Sequence, residues 1–123
     1  MATTHFEDFS TGQVIELGSV SFSRGAIVDC ATQFEPQPVH IDPAAAVNSS
    51  FGGLVASGWH TGSLWMRLYA DTVLDGADSR GSSGMEQLRW WAPVRPGDTL
   101  IGTITVIDTT PSTKDPTRGT VLT

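Results

Sequence analysis

The stretch SGWHTGSLWMRLY, from Ser57 to Tyr69, constrains the fold more than any other. Trp59, Gly62, Leu64, Trp65, Met66, Leu68 and Tyr69 fall on almost every side of a helix. A helix that is apolar all round is wrapped by other structure rather than laid on a surface. Ser57 is its predicted cap, and Gly62, costly in mid-helix, predicts close approach of another backbone. The wrapping must come from strands. Gly12–Ser23 alternates loosely and reads as one, and Met85–Val94 reads as a second, with Trp90 and Trp91 on opposite faces. Arg-Pro-Gly-Asp at 95–98 is a type II turn signal. Thr99–Asp108 is the clearest strand, with Leu100, Ile104 and Val106 on one face; residues 109–119 read as a loop, and TVLT opens a further strand. The order predicts an α+β domain, a curved antiparallel sheet around a central apolar helix, over residues 1–123.

Before the central helix, Ser23 is placed to cap a helix running to about Glu35, with Ala26, Ile27, Cys30, Ala31 and Phe34 on its apolar face. Cys30 is thereby a small core residue rather than a reactive thiol. Pro36 ends this helix, because the residue before proline is driven out of the helical region. The segment that follows, FEPQPVHIDP, packs an acid, an imidazole and three prolines into ten residues. It reads as stiff and non-helical. As an extended polyproline-like chain it would hold Glu35 and His40 about 15 Å apart, so the two meet only if the loop folds back. Asp42 and Pro43 then open a short helical turn, Pro43–Val47.

The charge balance narrows the partners. Seven Lys and Arg against thirteen Asp and Glu give a net charge of -6, with no basic run; nucleic acid is disfavoured. Cys30 is the single cysteine, which leaves no internal disulfide and no thiolate metal site, and points to a reducing compartment. The three histidines are scattered, so no metal is expected. MATTHFEDF lacks an apolar signal core, and no apolar run approaches the ~20 residues that span a bilayer. A cytoplasmic protein without membrane attachment is expected. Gly52-Gly53 is not followed by Lys-Ser/Thr, so it is no phosphate loop.

FEPQPVHIDPAAA, FGGLVASGWHTGSLWMRL and LRWWAPVRPGDTL resemble, in that order and spacing, the MaoC-like dehydratases, which include the R-specific enoyl-CoA hydratases. The resemblance implies the hot-dog fold, and a natural domain continuing beyond Thr123. It implies that Glu35 and His40 take the places of the family's catalytic acid and histidine, with Gln37 and Pro38 between them; the family acid is normally aspartate. It also implies a homodimer, or a two-domain arrangement that mimics one. The substrate would be an enoyl thioester, of coenzyme A or of a carrier protein, with no cofactor beyond the coenzyme A of the substrate itself.

Hydration of such an alkene needs a base for water, an acid for the α-carbon and donors for the enolate oxygen. Glu35 and His40 can divide the first two tasks around one water. The third falls to free amides at the start of the central helix, with Gly58 as the candidate because no Cβ obstructs a carbonyl, and Ser57 and Gln37 alongside. His60, in the first turn, either lines the site or is a neutral packed histidine. Arg67 is expected to reach a carboxylate, a rim or a second subunit; Arg89 and Arg95 are expected at the surface or on the phosphates of coenzyme A. Two other functions fit the same pattern. A hot-dog thioesterase would carry its acid on the central helix, yet Trp59–Tyr69 has no carboxylate. A non-catalytic acyl-thioester-binding or assembly subunit would bind without turnover.

Overall fold

The structure, a computed structural model, describes residues 3–115 and 117–123. Its elements are β1 (Val14–Ser21), α1 (Arg24–Phe34), α2 (Pro38–Ile41), α3 (Pro43–Val47), α4 (Gly58–Tyr69), β2 (Thr99–Thr105), β3 (Asp108–Pro111) and β4 (Gly119–Leu122). A 3-10 turn at Phe6–Asp8 precedes β1, and a π-helical turn at Ala70–Leu74 extends α4. The architecture is α+β. β1 pairs with β2, and β3 with β4. Two compact units can be distinguished: Ser19–Met66 with Gly84–Leu100, and Met1–Gly18 with Arg67–Ser83 and Ile101–Thr123.

In the unit built on Ser19–Met66, Ser23 caps α1 as expected, accepting from Ala26 N at 3.1 Å. The buried face of α1 is narrower than its periodicity predicts. Ile27 and Ala31 are buried, but Phe34 is exposed, because it lies in the last turn, where the chain leaves the core for the Pro-rich segment. Phe22, Ile27, Ala46, Leu54, Ala56 and Val94 form the core, with Val20, Val28, Leu64 and Leu100 packed against it. Burial of each large side chain contributes roughly 1.5–3 kcal/mol. The antiparallel ladder ends in this unit: Phe22 N donates to Asp98 O and Gly97 N to Phe22 O. Gly97 (φ 89°) makes the predicted turn possible, and Asp98 closes it through Arg95 N.

Three expectations in this unit are corrected. The Pro-rich segment is not wholly non-helical: Pro38–Ile41 forms a helical turn, because proline suits a first helical position. Met85–Val94 forms no strand; it makes no ladder among the described residues, and a strand without a partner leaves its backbone groups to water. The central helix is not buried all round, since Trp59 and Met66 are 59% and 48% exposed.

In the other unit, Leu17, Val73, Ile104 and Val106 are buried. The ladder is carried by Gly12 N to Val106 O and Val106 N to Gln13 O, and Thr72 Oγ1 donates to Leu17 O at 3.0 Å. Ile104 and Val106 share a buried face as predicted, but β2 ends at Thr105 and β3 takes up Asp108–Pro111, the last residue of the predicted strand and the first three of the predicted loop. β3 and β4 pair antiparallel, Asp108 opposite Leu122 and Pro111 opposite Gly119. Gly119 has no room for a Cβ, which would meet the Thr110 carbonyl and the Phe6 ring. Pro116, within the expected loop, lies outside the described residues. Arg67 reaches a carboxylate one turn on, Asp71, at 2.7 Å. Among the described residues no helix is long and apolar enough to cross a membrane.

Candidate active site

The site is assembled by a reversal of the chain at Gln37. Glu35 caps the end of α1, its N–H bonded to Ala31 O. Pro36 prevents continuation. Gln37 N then bonds back to Glu35 O at 2.8 Å, and His40 N bonds to Gln37 O at 2.9 Å as α2 begins. One tight turn followed by one helical turn replaces the extended path. His40 Nε2 comes to 3.6 Å from Glu35 Oε1. Asp42 closes α2 through its N–H to Pro38 O and caps α3 through Ala45 N at 3.2 Å.

The segment Leu54–Ser57 is buried throughout and fixed on both sides: Val55 N bonds to Val39 O, and Ala56 N to Val94 O. It supplies the other half of the site. His40, itself buried, places Nδ1 2.7 Å from Val55 O. A carbonyl only accepts, so Nδ1 carries a proton; Nε2 is the nitrogen turned toward Glu35, and in the neutral ring it offers a lone pair there. Ser57 Oγ donates to Glu35 Oε1 at 2.5 Å and accepts from Trp59 N at 3.2 Å. It thus caps α4 and holds the carboxylate at once. Gln37 Nε2 donates to Glu35 Oε2 at 2.7 Å. Glu35, Gln37, His40 and Ser57, all singled out in the sequence, therefore meet, and the Val55 carbonyl joins them. A backbone carbonyl carries no sequence signal, so nothing in the chain could have named it.

With the imidazole neutral, Glu35 Oε1 and His40 Nε2 are two acceptors that face each other across 3.6 Å. A water oxygen about 2.8 Å from each closes a triangle on that base and donates one hydrogen to either side. Such an arrangement can orient a water molecule and move its proton.

Gly58 opens α4, and its N–H donates to no group among the described residues. The reason for glycine differs from the one expected. A β-carbon here would lie 2.4 Å from Cε2 and 2.5 Å from Nε1 of Trp90; the indole fills that space. Gly62 likewise receives Trp90 Cη2, 3.3 Å from where its β-carbon would be, rather than another backbone. Trp90 also packs edge-to-face on Trp59, with centroids 6.4 Å apart. The sequence placed Trp90 only on one face of an expected strand. The signal available was the pair of glycines four apart, a strip of helix able to receive a flat ring.

His60, in the first turn of α4, is buried and packs edge-to-face on Phe22 at 5.0 Å. Burial lowers its pKa, and Nδ1 has no hydrogen-bond partner among the described residues; it is a packed, neutral histidine. Arg95 Nη2 donates to Phe51 O at 2.7 Å, and Arg89 lies over the Trp91 ring.

Residues 9–122 match the family model of the MaoC-like domain. The chain belongs to the MaoC-like dehydratase family. It is 30% identical over 105 residues, 85% of its length and 74% of the other's, to the uncharacterized protein YdeM of Bacillus subtilis strain 168. Among solved structures, the MaoC-like dehydratase of Rhodospirillum rubrum superposes with a TM-score of 0.83 at 38% identity, covering 96% of this chain and 80% of that one. The R-hydratase PhaJ1 of Pseudomonas aeruginosa superposes with a TM-score of 0.68 at 27% identity, covering 87% and 67%. The fold is the hot-dog fold of these MaoC-like proteins.

Proposed function

We propose that this MaoC-like protein is a hydro-lyase that reversibly adds water across a trans-2-enoyl thioester, giving the 3-hydroxyacyl thioester. The observation that carries the reading is the pair of acceptors 3.6 Å apart, each fixed from behind: His40 by the Val55 carbonyl, Glu35 by Ser57 and Gln37. The shared water gives its hydroxyl to the β-carbon. Its second proton passes to the Glu35–His40 pair and from there to the α-carbon, so the pair ends as it began. As the bond forms, negative charge moves to the thioester oxygen, where the Gly58 amide at the positive end of α4 stabilises it. Coenzyme A is the simplest carrier for the thioester, and the expected assembly is a homodimer in the cytoplasm.

Loss of enoyl-thioester absorbance on mixing the protein with crotonyl-CoA tests the reaction. Glu35→Ala should reduce kcat by at least about a hundredfold, the scale of an acid–base group. Glu35→Asp shortens the acid toward the family's residue and should retain activity or gain it. A Glu35→Ala variant that hydrates as fast as the parent removes Glu35 from the mechanism. Release of free thiol in place of alkene loss identifies a thioesterase.

A further inference from the structure

The Trp90 indole is placed on α4 with a definite orientation. Its Nε1–Cε2 edge lies over Gly58 at the start of the helix, and its Cη2 end lies over Gly62 one turn on. Contact with Trp59 supports it from the side. The polar edge of the ring thus sits at the helix end that carries the free amide, and the apolar end points along the helix. The nitrogen and β-carbon of one residue are about 2.5 Å apart, so Nε1, 2.5 Å from the β-carbon position, lies within about 5 Å of Gly58 N. Two N–H groups at that spacing can share one acceptor at about 2.9 Å from each. No hydrogen bond from Nε1 is formed among the described residues, and Trp90 is 48% exposed. An indole nitrogen only donates and does not titrate in the working range.

We propose that the Trp90 Nε1–H is a second donor to the substrate's thioester oxygen, completing with Gly58 N–H the site that holds the enolate. The assignment rests on the hydratase reading. It makes Trp90 a catalytic residue, and it gives Gly58 a second role, keeping helix and indole close enough for both donors to meet one oxygen.

Two measurements test this on the full chain. Trp90→Phe keeps a ring over the glycines and removes the donor. It should lower kcat for crotonyl-CoA by about ten- to a hundredfold, with KM within about threefold and the loss equal at every pH, because the removed donor does not titrate. The second measurement follows the indole N–H resonances of nitrogen-15-labelled Glu35→Gln protein, in which crotonyl-CoA persists unreacted. Crotonyl-CoA should move the Trp90 resonance, assigned by its absence from a Trp90→Phe spectrum, downfield and further than those of Trp59, Trp65 and Trp91; free coenzyme A should not. If Trp90→Phe fails to fold, the Trp90 resonance is assigned by elimination from the spectra of Trp59→Phe, Trp65→Phe and Trp91→Phe, and it decides alone. A Trp90 signal unmoved by crotonyl-CoA, or moved as far by free coenzyme A, overturns the assignment, as does an unchanged kcat in folded Trp90→Phe. An inactive Glu35→Ala beside a fully active Trp90→Phe removes the indole alone. An active Glu35→Ala removes the hydratase reading and the indole's role with it.

Discussion

Ser57 does two jobs with one oxygen. Its hydroxyl proton goes to Glu35 Oε1, and its lone pair takes the Trp59 N–H at the start of α4. Ser57→Ala removes both at once. The lost cap should cost about 1 kcal/mol, read as a lower urea midpoint. The freed carboxylate should cost roughly tenfold in hydration rate, because a small displacement of a catalytic group is expensive. Ser57→Thr, which retains the hydroxyl, should recover most of the stability. His60 gives a prediction of a different kind. Burial holds its folded-state pKa below the ordinary 6.5. Between that ordinary value and the lowered one, the unfolded chain binds a proton that the folded chain refuses, so stability falls as pH drops below about 6.5. His60→Phe removes that proton difference. The urea midpoint of the variant should therefore decline less than the parent's from pH 7 to pH 5, and parallel curves would show that His60 contributes nothing to the acid sensitivity.

At the scale of elements, the start of α4 couples stability to activity through the two glycines. Alanine is favoured over glycine inside a helix by about 1 kcal/mol. At Gly62 the added β-carbon would stand 3.3 Å from Trp90, a contact that a small shift of the ring relieves. At Gly58 it would stand 2.4 Å from the indole, where the ring must leave. Gly62→Ala should therefore change stability by no more than about 1 kcal/mol in either direction. Gly58→Ala should lower both the urea midpoint and kcat, and equal effects at the two positions would contradict the packing described. Asp42, just beyond the reversal at Gln37, ends α2 and caps α3. Asp42→Ala should cost about 1 kcal/mol, measurable by chemical denaturation.

For the whole molecule, the core of the Ser19–Met66 unit is the support on which the site rests. Phe22 is 1% exposed and touches His60 edge-to-face. Phe22→Ala should destabilise by about 3–5 kcal/mol, since the vacated volume sits among residues that cannot all collapse into it. Much of this arrangement was legible beforehand. The Ser23 cap and Ile27–Ala31 face of α1, the Asp42–Pro43 start of α3, the Gly97 turn and the Ile104–Val106 face all follow from local rules whose causes lie within a few residues of one another. Elements that depend on distant partners were not legible. Met85–Val94 alternates like a strand yet forms no ladder among the described residues, although its Val94 carbonyl accepts from Ala56 N, and the apolar side chains of α4 stand partly exposed.

The candidate site divides along the same line. By itself the sequence determined which groups were available, an acid, an imidazole and a hydroxyl set about stiff prolines and a glycine-opened helix, because residue type and local backbone preference are properties of short segments. Glu35 and His40, five residues apart, meet through a short turn at Gln37 whose closure the sequence left open, whereas tertiary structure alone decided that a Val55 carbonyl fifteen residues away selects the histidine tautomer and that Trp90 lies on Gly58. The last two are distances between parts of the chain far apart in sequence, held by backbone bonds from Val55 and Ala56 to Val39 and Val94, and no local preference encodes them.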